Sequence, residues 1–375
     1  MKGLVSLFIL CLIVFVPTAA DALSVSAAYA CVIDAGSGRI LYEKNAHKTH
    51  SMASTTKIMT AYVALLNTSP DEIVTVSEKS AGVEGSSMYL KSGEKLPMHD
   101  LLYGLMLSSG NDAAVAIAEH TAKSVDGFCK LMNDAAKKIG ANNTSFKNPN
   151  GLDAEGHYTT AYDLAKITRA ALKNPDFSKI VQTKSCKLTG SNTVPERYLT
   201  NHNKLLRMYP GCIGVKTGYT KKTGRCLVSA AEKDNMRVIC VTLSAPDDWN
   251  DHKNMLDYAF SNYSAVPLIK KDVPIKTVPV SFGDKEQAEI VPKENYYVLS
   301  GKNENLSDYK IEINIPENLR APIAKEDCLG SLTISYSGEV LKQIELTSQD
   351  DILYINPPKP SFWEILYKLI TPFGG

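Results

Sequence analysis

A serine and a lysine one helical turn apart form the first pair of residues that could do chemistry. The sequence reads Ser54-Thr55-Thr56-Lys57 at the start of a segment with helical periodicity. Residues i and i+3 lie on the same face of a helix, so the Lys57 amine would lie beside the Ser54 hydroxyl. A serine hydroxyl is a weak nucleophile until a neighbouring base takes its proton, and an amine can do so when burial or a nearby cation lowers its pKa. By itself the pair is more typical of a helix N-cap, where serine is favoured.

A serine and an asparagine two residues apart form a second motif, Ser109-Gly110-Asn111. In isolation this pattern is typical of a turn between two helices. If the same residues face a cleft, the hydroxyl is suited to relay a proton and the amide to hydrogen-bond a substrate. The motif therefore gains a functional interpretation only when other reactive residues lie near it.

The third motif is Lys216-Thr217-Gly218, inside the strand-like stretch GVKTGYT. In isolation it is an ordinary piece of strand before a turn. In a site, Lys216 would supply a fixed positive charge and Thr217 would donate its hydroxyl to a substrate carboxylate. Gly218 would let a substrate backbone lie against the strand edge, because no side chain is in the way.

The three motifs occur in the order that marks the penicillin-binding proteins and the serine β-lactamases. The stretches MASTTKIMTA, YGLMLSSGNDAAVAIAEH, NPNGLDAEGHYTTAYDLA and GVKTGYT resemble D-alanyl-D-alanine carboxypeptidases of the low-molecular-mass penicillin-binding class. The resemblance covers roughly Ala28 to Tyr263, most of the chain. The stretch APDDWNDHKNML and the C-terminal tail are more similar to the sporulation-associated members of that class.

The resemblance implies a role for each matching residue. Ser54 would be the acylated nucleophile, Lys57 its general base, and Ser109 the relay that carries a proton to the leaving amine. The residues that would hold the substrate are Asn111, Lys216, Thr217 and Gly218. The backbone N–H groups of Ser54 and Tyr219 would form the oxyanion hole. Because a base must be neutral, we expect the pKa of Lys57 to be lowered chiefly by the charge of Lys216 and by burial.

The activity that the resemblance implies is that of an exported serine D-Ala-D-Ala carboxypeptidase. Ser54 would attack the carbonyl of the penultimate D-alanine of a peptidoglycan stem pentapeptide, the terminal D-alanine would leave, and water would hydrolyse the acyl-enzyme. β-Lactam antibiotics would inhibit the enzyme by acylating the same serine. No metal ion or organic cofactor is implied. The same residues would serve an endopeptidase, so the motifs do not separate the two reactions.

Two other functions stay open on the sequence. A serine β-lactamase needs fast deacylation, usually through a glutamate on a loop, and Glu155 lies in a suggestive loop although its surroundings do not match. The second alternative is a non-catalytic wall-binding protein. Family members also often hold the terminal carboxylate with an arginine after the sheet strands. The matching stretch APDDWNDHKN offers His252 or Lys253 instead, and that role stays unassigned.

The elements around the motifs predict an α/β fold. Residues 28–34 and 39–43 are predicted to form a hairpin, and residues 214–244 contain three further strands. Helical periodicity fills the region between them, including residues 54–66 and 125–139. Because hairpins without crossover helices pair antiparallel, we expect one antiparallel sheet with flanking helices. The resemblance implies the transpeptidase fold of penicillin-binding proteins and β-lactamases.

The helical pattern disappears after Tyr263. Short β-type segments separated by prolines predict a smaller all-β domain over residues 264–356, behind a catalytic domain of residues 23–263. The last part, residues 357–375, contains a proline-rich linker and the amphipathic segment Ser361–Thr371. We expect this segment to lie as a helix in a membrane surface, the alternatives being packing on the β domain or a dimer contact.

The N-terminal residues carry a targeting pattern. Lys2 precedes an apolar run from Leu4 to Val16, and small residues follow up to Ala22. This is typical of a signal peptide over residues 1–22, which predicts export to the outer face of the cytoplasmic membrane or the cell wall space.

The composition excludes some classes of protein. The 375 residues carry 41 Lys+Arg against 40 Asp+Glu, which argues against a nucleic-acid-binding protein that works by bulk charge. Of the 8 cysteines, Cys11 lies in the predicted signal peptide, and the dispersed remainder are expected to be mostly buried thiols. The cysteine and histidine spacings do not resemble a zinc site.

Overall fold

The computed structural model describes residues 23–302, 304–355 and 362–363. The predicted signal peptide, the proline-rich linker and most of the predicted tail helix lie outside these residues. Phe362 and Trp363 of the tail are described, and both side chains are exposed. None of the helices in the described ranges has the length and apolar character that crossing a bilayer requires.

The first part of the chain is organised around a sheet. The strands up to residue 243 are, in chain order, β1 (Tyr29–Asp34), β2 (Ile40–Lys44), β3 (Ile73–Thr75), β4 (Lys95–Pro97), β5 (Ser185–Leu188), β6 (Arg197–Thr200), β7 (Cys212–Thr220), β8 (Gly224–Lys233) and β9 (Met236–Leu243). Five of them form one sheet in the order β2-β1-β9-β8-β7, in which all neighbouring pairs are antiparallel. This confirms the predicted antiparallel sheet. Strand β7 is at its edge, so one side of the β7 backbone is free to meet another group.

Helices cover both faces of this sheet. They are α1 (Lys57–Asn67), α2 (Glu78–Ala81), α3 (Met98–Leu107), α4 (Asn111–Ala122), α5 (Val125–Ile139), α6 (Ala161–Leu172), α7 (Pro175–Gln182), α8 (Leu205–Met208) and α9 (Asp248–Asn262). Neighbouring residues of β9 point to opposite faces, as the period of a strand requires. Val241 joins the core around α1, whereas Cys240 joins a second core under α9. Helix α1, which begins at Lys57, therefore packs on the face of the sheet to which Val241 points.

The structure differs from the predicted elements in detail. The helix predicted from Ser54 begins with a 3₁₀ turn over Ala53–Thr56, and the α-helix starts only at Lys57. Helix α7 and the β5–β6 hairpin were not predicted, because each is too short to show a clear period. A local signal for α7 is present, since the Asn174 side chain caps it and Pro175 is its first residue. Of the cysteines in the described ranges, all are unpaired and four are buried.

The remainder of the chain is all-β, as predicted. Its strands are β10 (Tyr263–Ile269), β11 (Lys276–Ser281), β12 (Gln287–Pro292), β13 (Tyr296–Gly301), β14 (Tyr309–Asn314), β15 (Leu319–Arg320), β16 (Gly330–Tyr336) and β17 (Glu339–Ser348). Six of them form a sheet in the order β14-β16-β17-β12-β11-β15, and β10 pairs with β13. This part buries its own apolar cluster, to which Ile290, Leu332 and Ile344 belong.

A buried arginine joins the two parts. The Arg169 guanidinium on α6 donates from Nε to Ala35 O at 3.0 Å and from Nη2 to Gly36 O at 2.7 Å. Its Nη1 donates to the carboxylate of Glu339 on β17 at 2.8 and 2.9 Å. A cavity of about 1210 Å³ lies at this junction, and none of the motif residues line it. The junction is therefore a structural contact separate from the reactive motifs.

Candidate active site

The predicted nucleophile and base are in contact. The Oγ of Ser54 lies 3.0 Å from the Nζ of Lys57. The tight 3₁₀ turn brings the two side chains to one side at the entrance of α1. Ser54 is half-buried, whereas the Lys57 side chain is fully buried. A substrate can therefore reach the hydroxyl while the amine is shielded from water.

The surroundings of Lys57 fit a neutral amine. Besides Ser54, its Nζ has two partners, donating to Asn111 Oδ1 at 2.7 Å and to Asn150 O at 2.5 Å. A neutral amine has two N–H groups and one lone pair, so it can satisfy both oxygens and still accept the hydrogen of the Ser54 hydroxyl. A protonated amine would direct a third N–H at that hydroxyl and could not take its proton.

Burial and a second lysine lower the pKa of Lys57. Burial is the larger cause and the charge of Lys216 the second, and together they hold the pKa well below its usual value, with Asp112 acting in the opposite direction. This order differs from our expectation, which gave the charge of Lys216 first. The reason is that an amine in a dry interior loses its hydration in full, whatever cations lie nearby.

The Ser109-Gly110-Asn111 motif forms the break between α3 and α4. Ser109 has a φ of +58°, a left-handed conformation uncommon for a residue with a side chain, and is 5% exposed. Asn111 is the first residue of α4, and its Nδ2 donates to Glu84 O at 2.7 Å. Because its Oδ1 accepts from Lys57, the Asn111 amide has protein partners at both ends. The structure thus gives Asn111 a direct contact with the base, and its predicted contact with the substrate stays a prediction.

The following residue, Asp112, is buried and anchors a neighbouring loop. Its carboxylate accepts hydrogen bonds from the Ser87 hydroxyl at 2.6 Å and from the backbone N–H of Leu90 at 3.0 Å. It also accepts from the N–H of Met88 at 3.1 Å. These bonds fix the loop of residues 85–90 beside the motif. Asp112 is not predictable from the sequence, because its role depends on a loop more than twenty residues earlier.

The third motif lies on the free edge of β7, against the turn that carries Ser54. A Cβ atom added to Gly218 would lie 3.0 Å from Ser54 N and 3.1 Å from Met52 O. A side chain there would push the two elements apart, so glycine is required for the close approach. Thr217 is half-buried, and Tyr219 is 65% exposed.

Lys216 is buried rather than open to the cleft. It is 1% exposed, and its Nζ donates to Thr217 O at 2.9 Å. Burial lowers the pKa of Lys216 to about 7. Burial therefore disfavours the positive charge that the sequence predicted as fixed.

The motifs meet at one cleft of about 350 Å³, lined by Ser54, Ser109, Thr217, Gly218 and Tyr219 among others. Lys57 and Lys216 do not line it, because both are buried in its wall. The lining also includes residues that were not predicted from the sequence, namely Ser86, His202, Lys204, Arg225, Asp248 and Trp249. Asp248 and Trp249 begin α9, within the stretch APDDWNDHKN, and the other four come from a loop before α3, the segment before α8 and strand β8, so only the tertiary structure brings them together.

A loop after α5 closes the site behind Ser54. Asn150 supplies the carbonyl that binds Lys57. The next residue, Gly151, has a φ of +87°, and an added Cβ would lie 2.0 Å from Ala53 O. His157, at the end of the loop, is hydrogen-bonded to Thr56 Oγ1 at 2.8 Å. Burial lowers the pKa of His157 to about 4, so it is a neutral hydrogen-bonding group in this wall.

The same loop carries no deacylating carboxylate at Ser54 in the part of the chain described. Asp153 accepts from Thr220 Oγ1 and Thr223 Oγ1, each at 3.2 Å. Glu155 is exposed and does not line the cleft. The described residues of this loop therefore lack the carboxylate beside the nucleophile that a serine β-lactamase uses for fast deacylation.

His252 and Lys253, the two candidates to replace the carboxylate-binding arginine of the family, do not line the cleft. His252 is fully buried and bonded to Ser229 Oγ at 2.6 Å and to Thr242 Oγ1 at 2.9 Å. Burial lowers the pKa of His252 to about 3. Lys253 lies on the exposed side of α9. Both residues are thus excluded from contact with a bound carboxylate.

Comparison with known proteins agrees with this geometry. Residues 16–247 match the family described as D-alanyl-D-alanine carboxypeptidase, and residues 263–353 match the one described as penicillin-binding protein 5, C-terminal domain. The chain is similar to the D-alanyl-D-alanine carboxypeptidase DacF of Bacillus subtilis, at 39% identity over 86% of this chain and 85% of the relative. It is also similar to DacC of Escherichia coli, at 33% identity over 91% of this chain and 89% of the relative.

Solved structures give the same result. Penicillin binding protein 5 from Haemophilus influenzae superposes with a TM-score of 0.65 at 28% identity, covering 88% of this chain and 98% of that one. The Streptomyces K15 DD-transpeptidase superposes with a TM-score of 0.61 at 35% identity, covering 64% of this chain and 98% of that one. The arrangement of both parts of the chain therefore recurs in known structures.

Proposed function

The chain belongs to the D-alanyl-D-alanine carboxypeptidase family of penicillin-binding proteins, and from this premise we propose that Ser54 is its nucleophile and Lys57 the base. It is a serine-type hydrolase that removes the terminal D-alanine from peptidoglycan stem peptides, and inhibition by penicillin is consistent with its family. The observation that carries the assignment of roles is the contact between Ser54 Oγ and Lys57 Nζ, with two carbonyl oxygens on the same amine.

The first chemical step is attack on the penultimate D-alanine carbonyl. As the Ser54 oxygen bonds to the carbonyl carbon, its proton passes to the lone pair of Lys57. The negative charge that develops on the carbonyl oxygen is stabilised by the backbone N–H groups of Ser54 and Tyr219. Both residues line the cleft. Gly218, which precedes Tyr219 on β7, has no side chain and so allows β7 to approach the backbone of Ser54 closely.

The second step expels D-alanine. The C–N bond breaks, and the proton held by Lys57 reaches the leaving amine through the Ser109 hydroxyl, which lines the cleft. Water then attacks the acyl-enzyme and gives its proton to Lys57, releasing the shortened peptide and restoring the Ser54 hydroxyl. Thr217, which lines the cleft, would contact the carboxylate end of the substrate, whereas Lys216 would act on it only through its charge from within the buried wall. Asn111 would hold both the base and the peptide.

The experiment that tests these roles combines turnover and covalent labelling. The full-length protein should release D-alanine from diacetyl-Lys-D-Ala-D-Ala, and penicillin should give one mass adduct on the peptide containing Ser54. Ser54→Ala should lose both. Ser86→Ala, a serine that lines the same cleft outside the motifs, should keep the adduct. A stable adduct elsewhere, with Ser54 unmodified, would contradict the assignment.

The lifetime of the adduct separates this activity from that of a β-lactamase. The described part of the loop behind Ser54 places no carboxylate in the cleft, so this loop supplies no dedicated base to activate a water molecule for deacylation. A penicilloyl adduct that lasts for hours is expected. Turnover within milliseconds would favour the β-lactamase instead.

We propose that the protein is exported and held at the outer face of the cytoplasmic membrane. Members of the family act in the periplasm or the cell wall space, which supports removal of residues 1–22 on export. The amphipathic pattern of Ser361–Thr371 supports an in-plane helix, with Trp363 and Tyr367 at headgroup depth. Phe362 and Trp363 are 70% and 74% exposed in the structure, so they are free to enter an interface.

Removal of residues 357–375 tests the membrane proposal. The truncated protein should stay in the buffer when the full-length protein sediments with anionic vesicles. Its turnover of a soluble peptide should be unchanged, because the described residues that line the cleft all lie between Ser54 and Trp249, outside the deleted segment. Equal partitioning of the two proteins would favour the packed helix or dimer contact.

Two narrower proposals concern organisation and role. We propose catalytic and β-rich domains of residues 23–263 and 264–356, supported by the separate apolar cluster of the second part. Limited proteolysis should then cut near residue 263 or within the tail before it cuts elsewhere. We also propose a role in sporulation, supported by the similarity of residues 245–256 to sporulation-associated members. A deletion strain whose spores have unchanged cortex peptidoglycan would contradict it.

A further inference from the structure

We propose that an exposed apolar patch of the β-rich part inserts into a lipid surface, as a second membrane contact besides the tail. The patch consists of Phe282, Leu353, Tyr354 and Ile355, where the chain leaves the β-rich part toward its C-terminus, and we name it the exit patch. The inference rests on the membrane attachment proposed for Ser361–Thr371. Two contacts, rather than a tail alone, would fix the orientation of the enzyme on the membrane.

The exit patch brings four large apolar or aromatic side chains into contact with water. Phe282, Leu353, Tyr354 and Ile355 are 42%, 64%, 45% and 50% exposed. The ring centres of Phe282 and Tyr354 are 6.2 Å apart, and the N–H of Ile355 donates to Phe282 O at 2.8 Å. An exposed apolar surface of this kind is typical of a site that binds a partner or a membrane, whereas single exposed apolar residues are common.

The segment that carries the exit patch is fixed to the β-rich part. Ile352 is buried in the apolar cluster of this part, and its backbone pairs with that of Ile323. The N–H of Leu353 donates to the Asp284 carboxylate at 2.8 Å, and its carbonyl accepts from Asp284 N at 3.0 Å. Because these backbone groups are already paired, the segment can approach lipid without leaving them unsatisfied.

Phe282 is held in an unusual backbone conformation at the surface. Its φ of +63° lies in the left-handed region, which a bulky residue rarely adopts and which costs free energy. Behind it, a Cβ added to Gly283 would lie 2.8 Å from Ile352 Cγ2, so the chain is packed closely against the core at this point. The Cζ of Arg320 lies 5.0 Å from the centre of the Phe282 ring. An aromatic ring with a long cationic side chain beside it suits the headgroup level of a membrane.

The short distance along the chain from the exit patch to the proposed anchor identifies a lipid surface as the partner. Only residues 356–360 separate Ile355 from Ser361. Even a fully extended chain spans roughly 20 Å over this stretch. With Ser361 in the membrane surface, Ile355 therefore lies within that distance of it, and the tail raises the effective concentration of lipid at the exit patch. The patch is too small to hold the enzyme without the tail, since even one acyl chain gives only marginal membrane binding.

The charges around the exit patch indicate that it binds by apolar insertion rather than by attraction to anionic lipid. Among the described residues, the neighbouring charged side chains are three basic and three acidic ones, Lys285, Arg320 and Lys325 with Asp284, Asp350 and Asp351. These charges cancel, so a negatively charged surface gains little from them. The contribution of the exit patch should therefore be the same on zwitterionic and on anionic lipid.

Partitioning of the full-length protein between buffer and vesicles tests the proposal. The vesicles are phosphatidylcholine with and without phosphatidylglycerol. Leu353→Ser combined with Ile355→Ser should lower the partition coefficient about tenfold on both, because two apolar side chains no longer leave water. The matched control is Ile311→Ser combined with Ile313→Ser. These side chains are 42% and 39% exposed on β14, the far edge of the same sheet, and their loss should change partitioning by less than about twofold.

A fluorescent label reports the contact directly. A nitrobenzoxadiazole group attached to Leu353→Cys should shift its emission to the blue when vesicles are added, and the same group on Ile311→Cys should not. Both labels are placed in a Cys328→Ser background, because Cys328 is exposed. A shift already present in buffer and lost on removal of residues 357–375 would mean that the tail covers the patch. A shift that depends on protein concentration would mean a dimer contact, and either result overturns the proposal.

The remaining outcomes separate the exit patch from the tail anchor. If removal of residues 357–375 releases the protein while the Leu353→Ser, Ile355→Ser variant partitions like the wild type, the exit patch is wrong and the anchor stands. Equal partitioning of full-length and truncated protein contradicts the anchor and the patch together. Melting curves report on folding, and release of D-alanine from a soluble peptide should be unchanged in every variant, since neither contact lies at the cleft.

Discussion

Two lysines buried in one wall of the cleft set the chemistry at the scale of single residues. Lys57 and Lys216 are 0% and 1% exposed, and the charge of Lys216 contributes to lowering the pKa of Lys57. Proteins rarely bury two ammonium groups so close together, because each loses its hydration and they repel each other. The arrangement is reasonable if one of them must work as a neutral base. Stability is therefore lost at the site where activity is gained.

Lys57→Arg should abolish acylation by penicillin while leaving the fold intact. Arginine keeps a positive charge but does not give up its proton, so it cannot act as a base. In the wild type, the acylation rate should rise with pH as Lys57 loses its proton and should level off well below the usual lysine pKa of 10.5. Stopped-flow acylation rates across pH, with melting curves as the folding control, measure both effects. Acylation of Lys57→Arg at nearly the wild-type rate would remove Lys57 from the role of base.

Lys216→Met should stabilise the protein and impair turnover. The pKa of Lys216 falls from 10.5 to about 7 on folding, so between these values the unfolded chain binds more protons than the folded one. The stability that the wild type loses by burying this amine is therefore lost completely below about pH 7 and is regained as the pH rises toward 10.5. A tenfold difference in proton affinity between the two states corresponds to about 1.4 kcal/mol, so methionine should gain on the order of a few kcal/mol at pH 6.

The measurement for Lys216→Met is urea denaturation at pH 6 and pH 10. The advantage of the variant should shrink at the higher pH, where the wild-type lysine is largely neutral in the folded state and begins to lose its proton in the unfolded one. Lys204→Met, at an exposed lysine, is the control and should show no such pH dependence. Equal stabilities of wild type and Lys216→Met at both pH values would show that burial of this amine carries no penalty.

At the scale of elements, the site depends on three segments that touch at the backbone. The 3₁₀ turn of Ala53–Thr56 lies between the edge strand β7 and the loop after α5. Gly218 permits the contact with β7, and Gly151 permits the contact with the loop. Both contacts are with backbone atoms, which cannot move aside as a flexible side chain can. The spacing of Ser54 from its partners is therefore set by the absence of side chains as much as by the motif residues.

Gly151→Ala should destabilise the protein more than Gly93→Ala and should slow acylation. Both glycines have positive φ, +87° and +77°, so alanine costs about 1–2 kcal/mol at either position from backbone strain alone. Only at Gly151 does the new Cβ meet an atom, lying 2.0 Å from Ala53 O, whereas nothing lies within 4 Å at Gly93. The loop must then shift and take the Asn150 carbonyl away from Lys57.

Urea denaturation and penicillin acylation rates of the two variants test this prediction. Gly93→Ala should acylate at the wild-type rate, because it introduces only the backbone strain. If the two variants lose the same stability and both acylate normally, the close approach of the loop to the turn is not needed for the site.

At the scale of the whole molecule, the β-rich part is held to the catalytic part by Arg169. This guanidinium is 9% exposed and has donors directed at two backbone carbonyls of the β1–β2 turn and at Glu339. Arg39, which precedes β2, also pairs with Glu304 across the junction. The contacts lie at residues that do not line the cleft, so the β-rich part supports the catalytic part without entering the reaction.

Glu339→Gln should weaken the junction and leave turnover of a soluble peptide unchanged. The carboxylate of Glu339 is half-exposed, so solvent screens the pair and the expected loss is about 1 kcal/mol. Glu345→Gln, at an exposed pair with Lys293 within the β-rich part, is the matched control and should cost about 0.3 kcal/mol. Calorimetry should show a larger change for Glu339→Gln. A larger loss for the control would mean that the junction contributes little to stability.

The sequence by itself determined the parts of this protein that depend on near neighbours. The spacing of Ser54 and Lys57 predicted their contact, because residues three apart on a helical turn lie on one side. Short β-type segments next to turn residues predicted the β1–β2 hairpin and the strands β7, β8 and β9. The order of the three motifs indicated the family.

Only the tertiary structure decided the groups that meet across the chain and the electrostatics that follow. The sequence does not show that Lys216 is buried beside Lys57, that Asn111 binds the base, or that Arg225 faces the cleft with Asp248 behind it. Each depends on the register of β7 with β8 and on how deeply an element is packed. Burial decides whether an amine is charged, and burial is a property of the assembled core rather than of any short stretch of residues.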